Sequence, residues 1–424
     1  MQEGKAVTYD DSFGVSLSAM DMFATLKAGG WPSLVGAWLH LTVSFMVWLL
    51  VAALSIPLAQ ELELSDQQIA LLVALPLLGG AVLRIIAGWS CDWIGAKTTA
   101  VVILVGEVGV LLWGWLGVAG YGEALAMSVC LGVAGASFAV GLPIAGRAYP
   151  PAAQGLVLGL AGSGNVGTVL VLFLAPRWAE ALTWHGVYAV MAGIVLVTLA
   201  AFVMLVPREN TVQGRGSAKW WHNVAVLVRQ REAYWLCFLY AVMFGGFVGL
   251  CSLLPFLLHD LYQLDAVSAG SLAALSGLIG SLIRPVGGYT ADRQGGLRTL
   301  HYVFPVTVGA VVAVTNPSLS MAVAMMMVAT GAMGFGNGVV FQLVAEWFPK
   351  EIGLASGVVG AAGGLGGFLL PLAVGMLKGM TGSYELGLWF FAGLGVCAWG
   401  TVIVALRTRT ASTIESSSRD SFSR

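Results

Sequence analysis

Apolar runs of about 20 residues, each long enough to cross the hydrocarbon core of a bilayer, recur along almost the whole chain. They are continuous rather than alternating, so they read as helices, which satisfy their own backbone hydrogen bonds in lipid. Twelve spans are predicted, at about 35–57, 68–90, 99–118, 124–145, 155–176, 184–206, 234–258, 268–291, 301–317, 319–343, 354–378 and 384–406. With 58% hydrophobic and 10% charged residues, little is left over for a soluble domain. The five cysteines show no CxxC spacing, so neither a disulfide framework nor a metal site is expected.

An even number of spans puts both chain ends on one side, and the basic residues identify it. Lys97, Arg147, Arg208, Arg215, Lys219, Arg229, Arg231, Arg293, Arg298 and Lys350 fall in loops on the side of the ends, whereas the opposite loops hold only Arg177 and Lys378. The positive-inside rule then places both termini in the cytoplasm and the protein in the inner (cytoplasmic) membrane. The expected organisation is a leader (1–34), a six-helix bundle (35–206), a basic linker (207–233), a second six-helix bundle (234–406) and a short, disordered, serine-rich tail (407–424). The expected class is an all-α membrane protein of two pseudo-symmetric bundles, monomeric, in contact with lipid and not with nucleic acid.

The two bundles repeat one another. Arg84, Gly88, Asp92 and Gly95 return as Arg284, Gly288, Asp292 and Gly295, all at an offset of 200. Gly132 and Gly135 return as Gly331 and Gly334, and Gly155, Gly159 and Gly162 return as Gly353, Gly357 and Gly360. Internal duplication of this kind marks secondary transporters, whose substrate lies between the repeats. An arginine deep in a membrane helix costs about 2.5–3.5 kcal/mol, so two of them with few carboxylates nearby point to an anion that supplies the missing charge. There is no GxxxxGK[ST] stretch to suggest ATP hydrolysis.

The segments running from Gly88 to Lys97 and from Gly288 to Gly296 resemble the loop motif of the major facilitator superfamily. In that motif acidic and basic groups, here Asp92, Asp292 and Arg293, pair with helix ends and latch one conformation. Within the superfamily the chain is closer to the nitrate/nitrite porters. It shares their glycine ladders in the fifth and eleventh helices (Gly155, Gly159, Gly162, Gly164 and Gly167; Gly353, Gly357, Gly360 and Gly364) and a similar opening of the first helix, WLHLTVSFMVW. The resemblance covers residues 36 to 406. It implies an anion held by Arg84 and Arg284, with Tyr240 and Phe244 of the seventh helix, Phe138 of the fourth and Asn165 of the first ladder around it. The second ladder has Gly363 where Asn165 stands, so it lacks that amide.

The chemistry agrees with the resemblance. Nitrate is planar and trigonal, and a guanidinium fork can meet two of its oxygens in one plane, which an ammonium cannot do. Tyr240 and Phe244 lie four residues apart on one helix face, offering a hydroxyl and rings that exclude water.

Each assignment has a plainer rival. Arg84 can snorkel to the interface, the aromatics can be core, the glycines can be packing contacts, and Asn165 can bond a neighbouring helix. Glu107, lone in an apolar helix, and His40, at the opening of the first, are candidate proton carriers. Their rivals are a structural counter-ion and an interfacial histidine.

The sequence reading is therefore a nitrate and nitrite porter working by alternating access. Proton symport and nitrate/nitrite exchange stay open, and no cofactor is implied. The alternatives are a carrier of another small or organic anion, or an anion sensor without transport. No nucleophile–base set suggests an enzyme.

Overall fold

The computed structural model describes residues 30–118, 120–149, 154–208, 225–227, 229–315, 318–348 and 352–422, with Asp92, 154–156, 352–353 and 409–422 described in backbone only. Most of the expected leader and the middle of the basic linker (209–224) lie outside the described residues. Everything regular in the described chain is helical.

The first pass, α1 (31–61), is cut into three segments at Leu49 and Leu54. Pro57 accounts for the second cut, because its ring opposes the carbonyl four residues earlier and offers no N–H to it. Next come α2 (Asp66–Ile94), α3 (Ala96–Leu116) and α4 (Tyr121–Arg147), which has a turn at Ala136–Ser137. The fifth and sixth passes, α5 (154–182) and α6 (184–205), follow one another with no loop. The chain reverses at Thr183 alone, whose φ of 61° is costly for a β-branched residue. The indole of Trp184 donates to Glu61 Oε2 at 2.6 Å and ties this turn to the end of α1.

The second half contains α7 (Arg231–Tyr262), α8 (Ala266–Gln294), α9 (Gly296–Val312), α10 (Leu319–Trp347), α11 (Ile352–Thr381) and α12 (Glu385–Phe422). Ten stretches among the described residues are long and apolar enough to cross a membrane. One of them, Val157–Leu205, holds both α5 and α6, and the segmented α1 adds the twelfth pass. The apolar part of α12 stops at Thr408, yet its backbone stays helical to Phe422, where serine-rich composition predicts an irregular tail. No proline or glycine follows Gly400, so nothing in that stretch breaks a helix already under way. His40 lies nine residues inside α1, not at its opening, and is fully buried.

The repeat seen in the sequence is also a repeat of backbone geometry. Helices α2 and α8 have the same length at an offset of 200. Ser65 and Asp265 cap them, accepting from the backbone N–H of Gln68 and Ser268. Glu63 and Gln263, with φ of 50° and 53°, turn the chain into them, and Gly95 and Gly295, with φ of 89° and 85°, turn it out. In each half, small residues bring two helices into backbone contact. A Cβ on Gly132 would meet the backbone of Gly79 and Gly80, and one on Gly334 would meet that of Gly280.

The halves meet where α2 packs on α11 and α5 on α8. This seam is not uniform along its length. Toward the side away from the chain ends it is tight: a Cβ on Gly375 would strike Ala70, one on Gly379 would strike Gln67, and one on Gly270 would lie 2.8 Å from Pro176 Cγ. Near its middle, Gly364 would come within 2.9 Å of Ala81. Toward the side of the chain ends, Gly88, Gly159, Gly162 and Gly357 have nothing within 4 Å of an added Cβ. The seam is thus closed on the far side and open on the side of the ends.

Candidate functional site

Arg84 stands near the middle of α2 and Arg284 at the matching place in α8, ten residues before each helix ends. Arg84 is 2% exposed and turns inward, which removes the snorkelling alternative. Its Nε donates to the Gly135 carbonyl at 2.8 Å and its Nη1 to the Gly360 carbonyl at 2.6 Å, the latter across the seam. Glycine makes both bonds possible. The close approach of α4 to α2 at Gly135 brings one carbonyl within reach, and the bare backbone of α11 at Gly360 brings the other. The remaining nitrogen, Nη2, is buried without a hydrogen-bond partner.

Arg284 is held more loosely. Its Nη2 lies 3.4 Å from the Tyr240 hydroxyl and its Nη1 is buried without a partner. Among the described residues no carboxylate pairs with either arginine. Two positive groups that repel one another, Arg84 buried and Arg284 half-buried, each with an unused donor, therefore line one aromatic enclosure.

Aromatic rings form the walls. The Arg84 guanidinium carbon lies 4.9 Å from the Trp48 ring, 5.3 Å from Phe138 and 5.5 Å from Phe244. That of Arg284 lies 5.9 Å from Phe138 and 5.3 Å from Phe341. Phe138 thus faces both cations. Tyr240 and Phe244 stack with their planes 2° apart, and Phe341 meets Tyr240 edge-on at 5.0 Å. Such π faces stabilise a cation in a dry site where water does not.

The structure therefore brings together Arg84, Arg284, Tyr240, Phe244 and Phe138, as the sequence reading expects. Asn165 is buried in a short 3-10 turn against α1, and its Oδ1 has no partner, so it does not use that oxygen to bond a neighbouring helix. Gly363 explains the missing amide of the second ladder. A Cβ there would lie 2.6 Å from Tyr240 and 2.8 Å from Phe244, so the stacked pair occupies that volume.

The ladders divide by position. Gly164 and Gly167 press on α1, and Gly364 presses on α2. Gly159, Gly162 and Gly357 face the open seam, and Gly360 makes ordinary contact with Arg84 and Phe138. Gly155 and Gly353 lie within the helical backbone, and their surroundings are outside the described residues.

The loop motif is only partly engaged. Lys97 caps the end of α6, donating to the carbonyls of Val203 (2.9 Å) and Val206. Asp292 is exposed, Arg293 stacks on Tyr289 at 4.4 Å, and the Asp92 side chain lies outside the described residues. Away from the box, Glu107 is fully buried, with the Ser44 hydroxyl beside its carboxyl. His40 Nε2 lies 3.4 Å from the Ala100 carbonyl, with Phe202 beside the ring.

Sequence reasoning missed Phe341, Trp48 and the two glycine carbonyls. The repeat aligns Phe138 with Asn337, so Phe341, one turn later, carries no repeat signal. Trp48 is wedged between Gly80 and Gly135 and donates to the Pro76 carbonyl at 2.7 Å. Only the packing of α2 on α4 shows why an indole fits there.

Comparison with known proteins agrees with this geometry. The family described as the Major Facilitator Superfamily matches residues 36–344. The chain is 31% identical to the nitrite extrusion protein of Bacillus subtilis, over 86% of this chain and 92% of that protein. It is 32% identical to the probable nitrate transporter NarT of Staphylococcus carnosus (89% and 96% covered). It is 33% identical to the probable nitrate/nitrite transporter NarK2 of Mycobacterium tuberculosis (78% and 85% covered). Among solved structures, a bacterial homologue of the lysosomal transporter Spinster, inward-facing and occupied, superposes with a TM-score of 0.69 at 15% identity (88% and 96% covered), a likeness of fold. Twelve helical passes among the described residues, the repeat between the halves, paired arginines at the seam and this kinship place the chain in the major facilitator superfamily, within the family of these nitrate and nitrite porters.

Proposed function

We propose that the chain carries nitrate and nitrite across the cytoplasmic membrane by alternating access, with both termini in the cytoplasm and the anion gripped between Arg84 and Arg284. The observation that carries this reading is the pair of unused guanidinium nitrogens, Arg84 Nη2 and Arg284 Nη1, in an aromatic box that holds no carboxylate among the described residues. A small planar anion fits such donors. Phosphate, bulkier and needing more of them, does not. Phe138 lies against both cations and Tyr240 supplies a hydroxyl, so an anion on the arginines is flanked by rings and shielded from water.

One anion binding both arginines neutralises their repulsion and favours states in which the halves approach, which is the coupling alternating access requires. The seam open on the side of the ends is then the cytoplasmic opening, and Gly159, Gly162 and Gly357 are surfaces that meet when it closes. Glu107 and His40 are the candidate proton carriers.

The deciding experiment is uptake of labelled nitrate into proteoliposomes with internal nitrite, with a proton gradient, and with neither. Nitrate uptake in one of the first two arms is the expected result and also identifies the coupling. Uptake in neither, with no nitrate binding, overturns the reading.

A further inference from the structure

Arg177 and Lys378 are the two basic residues that break the charge asymmetry of the loops, and both reach across the seam on its closed side. Lys378, near the end of α11, is a buried ammonium with all three donors engaged. Its Nζ lies 2.6 Å from Asp260 Oδ2, 3.0 Å from Asp66 Oδ2 and 3.0 Å from the Tyr384 hydroxyl. Asp66 belongs to the first turn of α2, in the first half, whereas Asp260, Lys378 and Tyr384 all belong to the second. Arg177, near the end of α5, donates through Nη2 to Ser271 Oγ of α8 at 2.9 Å, again from one half to the other. Helices α5 and α11 are repeats of one another, as are α8 and α2. The two contacts are therefore counterparts, one on each flank of the seam.

We propose that Lys378–Asp66 and Arg177–Ser271 are paired latches that hold the far side of the transporter shut and release each time that side opens. Asp260 is what makes release affordable. A buried lysine stripped of its only carboxylate is strongly destabilised, but Lys378 carries a second carboxylate from its own half and stays paired when Asp66 moves away. The latch thus breaks one ion pair and leaves one intact, with Tyr384 holding the ammonium in place. The neutral Ser271 partner makes the Arg177 latch the weaker of the two.

This inference rests on the alternating-access reading, but its test uses no nitrate, so the two can fail separately. Val73, buried in α2, lines the small cavity beside Lys378 together with Asp66 and Tyr384. Val73→Cys in the full chain, in lipid nanodiscs where both faces meet the reagent, is labelled with a hydrophilic maleimide. Its rate is counted above that of the parent with its five native cysteines.

Asp66→Asn should raise the labelling rate on the order of tenfold, the effect of one lost charge-assisted hydrogen bond. Arg177→Gln should raise it less, and both together more than either. Asp66→Glu, which restores the charge, should label like the parent. Asp260→Asn, which leaves the pair across the seam in place, should not speed labelling. Unchanged labelling in Asp66→Asn, equal acceleration in Asp66→Glu, or acceleration by Asp260→Asn as large as by Asp66→Asn would each overturn the latch. Asp260→Asn, which removes the other carboxylate of the same cluster, is the control for lost stability: acceleration in Asp66→Asn alone, with a midpoint lowered no further than in Asp260→Asn, supports the latch, and a midpoint lowered further in Asp66→Asn counts against it.

Discussion

Replacing each arginine by lysine separates the two halves of the site, because the two guanidiniums are held so differently. Arg84 commits Nε and Nη1 to the carbonyls of Gly135 and Gly360 and keeps Nη2 unused. A lysine ammonium is a single point that cannot span both carbonyls and an anion. Arg84→Lys therefore loses the planar contact, about 1.5–3 kcal/mol for a hydrogen bond to a charged group, and strands a buried carbonyl at roughly 1–3 kcal/mol more. The first loss is roughly tenfold to a hundredfold in nitrate affinity, and the second should appear as a lower unfolding midpoint. Arg284 makes one long contact, 3.4 Å to Tyr240, so Arg284→Lys should lose affinity over the same range with little change in midpoint. If both arginines grip one anion, the double mutant should fall short of the summed losses by about 0.5–3 kcal/mol. Calorimetric nitrate titration and thermal unfolding of the four proteins measure all of this. Near-normal affinity in Arg284→Lys would refute the site, and strict additivity would refute a shared anion.

Three further outcomes follow from the packing. If Glu107 carries the coupled proton, Glu107→Gln should abolish gradient-driven nitrate accumulation and spare nitrate/nitrite exchange; unchanged accumulation removes it from the mechanism, and His40→Gln is the parallel test. Gly162→Leu places a side chain in open space on the α5 side of the seam, so the protein should fold and bind nitrate yet turn over slowly; full transport would show that this surface never closes. Gly363→Ala puts a methyl 2.6 Å from Tyr240 and 2.8 Å from Phe244, an overpacking that costs about 1–3 kcal/mol and should lower both nitrate affinity and the unfolding midpoint. Parent-like values would show that the stacked pair has room to shift.

Sequence alone determined the properties that depend on chemistry summed along the chain. Runs of apolar residues as long as a bilayer is thick read as helices, and a motif duplicated at an offset of 200 predicts two like bundles. An arginine repeated within that motif is too costly in lipid to be decoration. For the same reason Arg84 and Arg284 were legible as a pair before any distance was known.

What the tertiary structure decided are the matters that turn on which helix faces which. Phe341 and Trp48 enter the box because glycines let α10 touch α8 and α4 touch α2, a fact of surfaces that carries no linear signature. His40 moved from helix opening to buried interior because α1 begins at Trp31, earlier than hydropathy suggests. The glycine ladders read as one kind of element in the sequence. In the fold some press on neighbours and others face an open seam, because the seam is tight on the far side and open on the side of the chain ends. Lys378 illustrates the same limit most sharply. In the sequence it is a stray charge on the wrong side, and only the meeting of α11 with α2 supplies the carboxylate that gives it a partner across the seam.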